Sequence, residues 1–242
     1  MAEGRNVRVA IVDYGLGNLF SVKHACDHVG MSPRVTSSRE EIFSADAVIL
    51  PGVGAFGDAM AGLRRLDLIE PLKDVAGSEK MLVGICLGMQ LLMTESHEFG
   101  DHEGLGIIEG DVVPLENVRE PDGKALKVPQ MGWNRVFRRP SSRGARAEDV
   151  EFGEWDESPL SEITDGRYVY FVHSLYVRPK DDAVCLSWSR YGNIEFCSSL
   201  RLGNVYGFQF HPERSGSAGL QIYRNIATMI SAGMKSSEGA TR

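Results

Sequence analysis

Cysteine is scarce in this chain, four residues in 242, and none of the four has CxxC spacing. A clustered zinc site or a thioredoxin-type redox pair needs such spacing, so both are excluded, and no metal or cofactor is expected. Four unpatterned thiols suit a reducing cytoplasm. Basic residues are outnumbered, 26 Lys and Arg against 33 Asp and Glu, for a formal net charge of -7. That is the wrong sign for a nucleic-acid surface. Basic residues do gather at Arg135, Arg138, Arg139, Arg143 and Arg146, but Ser, Pro and Gly among them indicate a solvated loop. No stretch reaches the roughly 18 apolar residues of a membrane span. Met1-Ala2-Glu3-Gly4-Arg5-Asn6 has no signal-peptide pattern, so the expected location is cytoplasmic. Internal repeats and low-complexity tracts are also missing.

The length suits one to one and a half domains by the usual prior, with room for a substantial core. Residues 7–12 read as a buried strand. The helix after it carries Leu19, Val22, Cys26 and Val29 on one face and stops at Gly30. Residues 47–50 form the next clear strand, followed by a helix with Met60, Leu63 and Leu66 and then the strand 81–83. Strands alternating with helices predict an α/β fold: a mostly parallel central sheet with helices on both faces. Its functional site is expected at the carboxyl ends of the strands. From Gly106 onward the pattern changes to shorter strands, at 168–177, 183–189, 194–199 and 205–210, predicting an antiparallel β extension before a last helix over 218–232. Residues 1–235 read as a single domain, 236–242 as a frayed tail and 139–156 as a mobile loop.

Chemistry concentrates at Gly84-Ile85-Cys86-Leu87-Gly88-Met89-Gln90, between the strand and a helix-like stretch over 87–94. A thiol on a glycine-framed strand-to-helix turn has the pattern of a nucleophile elbow with Cys in place of Ser. Glycine suits both flanks because the backbone there is bent and crowded. The following helix points free N–H groups at the sulfur, favouring its reactive form. A lone Cys in an apolar stretch is ordinarily a small buried hydrophobe, and Cys26, Cys185 and Cys197 read that way.

Downstream, the alternating strand Val205-Tyr206-Gly207-Phe208-Gln209-Phe210 ends in His211-Pro212-Glu213. His211 can take the thiol proton and later pass it to a leaving amine. Glu213 can accept the imidazole's other N–H and fix its tautomer. Alone, this pair reads as a surface turn; beside a glycine-framed Cys it reads as catalytic. The third element, Pro51-Gly52-Val53-Gly54, closes a strand and can aim backbone N–H groups at a developing oxyanion. It lacks the Lys-Ser/Thr that would make it a phosphate loop. Nucleophile, base, orienter and oxyanion loop form a complete acyl-transfer set.

These residues resemble the class I (triad) glutamine amidotransferases, a flavodoxin-like family. More narrowly they resemble the glutaminase subunits of imidazole glycerol phosphate synthase. The Cys elbow and His-Pro-Glu are shared by the whole class. Asp13-Tyr14-Gly15-Leu16-Gly17-Asn18, Gly132-Trp133-Asn134 and Phe171-Val172-His173-Ser174 carry the narrower likeness. The resemblance implies catalytic Cys86, His211 and Glu213, and an oxyanion held by the Leu87 N–H and the Gly52–Val53 peptide. It implies L-glutamine bound by Gln90, His173, Ser174 and Leu175 and hydrolysed to glutamate and ammonia. The ammonia would pass to a separate (β/α)8-barrel synthase subunit, which makes imidazole glycerol phosphate and AICAR in histidine biosynthesis. Asn18, Gln130, Trp133, Tyr170 and Arg214 match positions near that heterodimer interface.

The chain departs from the family at Gln130, where His is usual, in a longer 137–156 segment, and at Phe196-Cys197-Ser198-Ser199-Leu200. Three alternatives stay open: a paralogue supplying ammonia to a surface-sugar pathway, an independent cysteine hydrolase such as a gamma-glutamyl peptidase, and a non-catalytic regulatory or binding subunit.

Overall fold

Short aliphatic and β-branched runs separated by Gly, Asp and Ser become strands because they pack well on a pleated surface buried on both sides. The computed structural model describes residues 6–138 and 155–239. The first half alternates β1 (Arg8–Val12), α1 (Leu19–His28), β2 (Ser32–Thr36), α2 (Arg39–Ser44) and β3 (Ala47–Gly52). It continues with α3 (Phe56–Arg65), α4 (Ile69–Ala76), β4 (Met81–Cys86) and the short α5 (Leu87–Leu91). The second half contributes β5 (Met93–Ser96), β6 (His102–Glu103), β7 (Ile108–Pro114), β8 (Gln130–Val136) and β9 (Arg167–His173). After β10 (Leu175–Pro179), β11 (Cys185–Tyr191), β12 (Ile194–Leu202) and β13 (Val205–Phe208), the chain closes with α6 (Gly216–Gly239).

The main sheet has seven strands in the order β11-β12-β13-β4-β3-β1-β2. From β13 to β2 every pair is parallel, whereas β12 runs antiparallel to both its neighbours. Side-chain alternation along β1 sends Val9 and Ile11 to a core shared with Val22 and Cys26 of α1 and Ile222 of α6. Ala10 and Val12 go to the opposite core, with Leu63 of α3 and Leu72 of α4. Full burial of each such aliphatic side chain contributes about 1.5–3 kcal/mol. A four-stranded sheet, β10-β7-β5-β6, and the antiparallel hairpin of β8 and β9 complete the fold.

Several boundaries differ from the sequence-based expectation. The helix expected over 87–94 ends at Leu91, because Met93–Ser96 pairs in parallel with β7 and sheet bonding overrides the helical pattern. The single strand expected over 168–177 breaks at Ser174, so that β9 pairs with β8 while β10 pairs with β7. Residues 205–208, assigned to the antiparallel extension, stand mid-sheet as β13, parallel to β4. The last helix, expected over 218–232, runs Gly216–Gly239 and takes in the start of the expected tail. No proline interrupts it, and Gly233 alone is a weak breaker, worth about 1 kcal/mol. Of the expected mobile loop, residues 139–154 lie outside the described residues. Trp155, at its end, is buried in the core with its indole N–H on the Leu186 carbonyl at 2.7 Å. Among the described residues no helix is long and apolar enough to cross a membrane.

Candidate active site

Cys86 closes β4 with φ 55° and ψ -110°, a strained conformation for a residue with a side chain. The bend brings α5 back against the sheet so closely that a Cβ on Gly88 would lie 1.7 Å from the Leu50 carbonyl oxygen, and one on Gly84 2.7 Å from Gly88 O. Glycine at both flanks is thus a requirement of packing. With only five residues in α5, the anion-favouring effect expected from a longer helix reduces to its first few N–H groups.

His211 reaches the cysteine because β13 lies directly beside β4, Phe208 opposite Ile85, so both strands end at the same level. Past β13 the backbone is pinned: the His211 N–H donates to Tyr170 O at 2.9 Å, and the Ser215 hydroxyl donates to His211 O at 2.7 Å. Ser215 Oγ in turn accepts the Tyr170 N–H at 3.0 Å. A 3₁₀ turn over Pro212–Arg214 then brings Glu213 Oε1 to 2.8 Å from His211 Nδ1, with the two side chains 7% and 1% exposed. Burial alone would lower the His211 pKa, but hydrogen bonds to the Cys86 sulfur and to Glu213 outweigh it and raise the value to about 10.

The loop after β3 sits at the same level, Gly52 opposite Cys86 in the parallel register. The Tyr14 hydroxyl donates to Pro51 O at 2.8 Å, and a Cβ on Gly52 would meet that hydroxyl at 2.5 Å. Burial, with the charge of Cys86 adding to it, pushes the Tyr14 phenol well up, so Tyr14 stays a neutral donor. A cavity of about 400 Å³ opens here, walled by Val53, Gly54, Cys86, Leu87 and His211.

All four residues expected to hold substrate line this cavity: Gln90, His173, Ser174 and Leu175. The break between β9 and β10 puts the last three there, and α5 supplies Gln90. Gln90 Nε2 donates to Leu175 O at 3.1 Å. His173 Nδ1 lies 2.8 Å from the same carbonyl, and its Nε2 3.0 Å from the Gln130 side chain. A carbonyl only accepts, so the proton is on Nδ1 and Gln130 must turn its NH₂ towards Nε2. Burial above all, helped by the charge of nearby His211, lowers His173 from 6.5 to about 4 against the hydrogen bond to Leu175. The ring is neutral at pH 7.

This has a consequence for acid stability. Between about 4 and 6.5 the unfolded chain binds a proton at His173 that the folded protein does not. The stability held above the unfolded value is therefore lost as pH falls through about 4, by on the order of 3 kcal/mol. His173→Asn cannot titrate and should flatten this part of a urea-unfolding profile taken from pH 7 to pH 4. An unchanged slope in the variant would rule out the effect.

Of the residues expected at a partner face, Asn18 and Arg214 line the cavity. Arg214 stacks over the Tyr170 ring at 4.5 Å, and Trp133 meets that ring edge-on at 5.9 Å. Trp133 is 56% exposed. Gln130 differs from them: it is 3% exposed, with its side chain turned inward to His173.

Glu98 is a cavity residue that sequence reasoning missed. Its carboxylate accepts the Phe56 N–H at the start of α3, tying the loop after β5 to the segment that follows Gly54. Standing between Glu95, His97 and Asp101 in an acidic stretch, it gave no signal. Gln209 lies in the strand before His211 and Ser215 two residues past Glu213, but nothing in their spacing distinguishes them from strand and turn residues.

Fold and site together define a doubly wound α/β protein with a cysteine on a nucleophile elbow. The family model of class-I glutamine amidotransferase matches residues 10–229. Over 220 residues the chain is 44% identical to the imidazole glycerol phosphate synthase subunit HisH of Rhodopirellula baltica, covering 91% of this chain and 97% of that one. It is 39% identical to the HisH subunit of Geobacter sulfurreducens, covering 92% and 99%. The chain belongs to the class I glutamine amidotransferase family and, within it, to the family of HisH subunits. The fold is also found in the solved structure of PurLQS from Thermotoga maritima. That likeness has a TM-score of 0.63 at 18% identity and spans 93% of this chain and 99% of that one.

Proposed function

We propose that this chain is a glutaminase subunit: it hydrolyses L-glutamine in the Cys86 cavity and delivers ammonia to a separate barrel-shaped synthase subunit that makes imidazole glycerol phosphate and AICAR. The observation that carries the reading is the convergence of Cys86, the His211–Glu213 pair and the loop after β3 on one cavity. The thiol proton passes to His211 as the sulfur adds to the side-chain amide carbon of glutamine. The N–H groups of Leu87 and of the Gly52–Val53 peptide receive the oxyanion. The C–N bond then breaks, and His211 returns the proton to the departing ammonia. Water hydrolyses the thioester to give glutamate.

Glu98 stands where a carboxylate can receive the substrate's α-ammonium. Asn18 and Arg214 at the cavity, with Tyr170 against Arg214 and Trp133 against Tyr170, would form the face on which the synthase subunit docks. Docking serves a chemical need, since ammonia released to neutral water becomes ammonium and is no longer a nucleophile. Four free thiols suit the reducing cytoplasm where such a subunit would work, with residues 1–235 as one amidotransferase domain.

Reconstitution tests the reading. The chain co-purified with its barrel subunit should release one glutamate per imidazole glycerol phosphate formed, with the amide ¹⁵N of glutamine appearing in the imidazole ring. Label only in an amidinated sugar would select the surface-sugar paralogue, and glutamate release with no labelled product would select an independent hydrolase.

A further inference from the structure

Gln209 is fully buried and lies behind the cavity wall, outside the triad, yet its amide reaches the reactive sulfur. Its orientation is imposed by a chain of acceptors and donors. The Leu175 carbonyl can only accept, so Gln90 must present Nε2 to it. The second proton on that nitrogen goes to Gln209 Oε1 at 3.1 Å. With its oxygen so engaged, Gln209 turns its NH₂ to Cys86, Nε2 standing 3.8 Å from Sγ. On another side of the sulfur the Val172 carbonyl oxygen lies 3.6 Å away. The sulfur thus sits between an acceptor that suits a thiol and a donor that suits a thiolate.

We propose that Gln209 is a further catalytic residue, whose amide N–H stabilises negative charge on the Cys86 sulfur before attack and again when the thioester breaks. The inference rests on Cys86 being the nucleophile. In acylation the S–H proton moves to His211, the S–C bond forms, and the carbonyl π pair goes to the oxygen. The C–N bond then breaks, and that proton leaves with ammonia. In deacylation His211 takes a proton from water as its oxygen adds to the thioester carbon, the S–C bond breaks with its electron pair returning to sulfur, and His211 passes that proton to the sulfur. Sulfur carries charge at the start of one half-reaction and the end of the other. A hydrogen bond to a charged partner is roughly twice as strong as a neutral one, so the amide favours those two states. Gln90 acts through it as a positioning residue, besides facing the substrate.

The test is the pH profile of Cys86 alkylation by iodoacetamide in the intact chain, read by mass spectrometry of the Cys86 peptide. It needs neither glutamine nor a partner, so its outcome is separable from that of the glutaminase reading. Gln209→Glu keeps an acceptor for Gln90 but sets an anionic oxygen against the sulfur. Alkylation at pH 7.5 should fall about 10- to 100-fold, with the half-maximal pH rising by about one unit or more. Gln209→Met should shift the profile the same way by less. Gln90→Met frees Gln209 without touching the sulfur; a shift in the same direction there supports the proposal even where the Gln209 variants fail to fold. Profiles that superimpose on the wild type, in variants with unchanged thermal unfolding, would overturn it. So would slower alkylation at every pH without a shift, because lost packing changes access and not titration.

Discussion

Cys86→Ala is expected to reduce glutamine-dependent turnover of the complex to background, a loss of about 10⁴- to 10⁶-fold in kcat, while ammonia-dependent turnover stays within about twofold. The selectivity follows from geometry. Alanine adds no atom to the crowded elbow and meets the same backbone conformation, so α5, the loop after β3 and the cavity mouth keep their places. The sulfur alone is lost. Ser174 lines the same cavity, but it is His211 with Glu213 that hydrogen-bonds Cys86, and a hydroxyl without a base is a poor nucleophile. Steady-state rates with glutamine and with ammonium chloride, measured on one preparation, make the comparison. Equal loss with both nitrogen donors would contradict separate glutaminase and synthase sites.

His211→Asn is the second large effect. We expect kcat with glutamine to fall by about 10⁴-fold or more, because in the proposed mechanism the same ring takes the thiol proton and returns it to ammonia. KM should change little. The contacts that pin this segment, Tyr170 O and the Ser215 hydroxyl, are made by the His211 backbone and survive the substitution. Binding of the proposed synthase subunit, measured by analytical ultracentrifugation, should therefore match the wild type. A loss of less than tenfold would show that another group serves as the base.

The proposed chemistry was legible because each of its steps depends on residue type at short spacing. A thiol between Gly84 and Gly88, His211 two residues before Glu213, and Gly52 and Gly54 after an apolar strand are local patterns. The structure supplies their physical grounds: no Cβ fits at Gly88, and Glu213 reaches the ring through a single 3₁₀ turn. Less legible were residues whose meaning depends on what lies across the fold. Gln130 stands in a motif that read as a partner face, yet it turns inward because β8 pairs with β9 directly opposite His173. Glu98 looked like one more charge in an acidic loop until the four-stranded sheet placed it against the start of α3. Gln209 looked like a strand residue until Gln90 fixed which end of its amide faces the sulfur.

By itself the sequence determined the alternating α/β order, the apolar runs of the central strands, the glycines of the elbow and the residues proposed as nucleophile, base and orienter. Those features are written in composition, period and short-range sterics, which act within a few residues. The tertiary structure alone decided that β13, still paired antiparallel with β12, also lies parallel beside β4, bringing His211 to a cysteine 125 residues earlier in the chain. It also decided that the strand expected over 168–177 breaks at Ser174, turning His173 and Leu175 into the cavity and the hydrogen-bond chain behind it. Strand neighbours and register are set by long-range pairing and by which faces are buried together, and no local pattern carries that information.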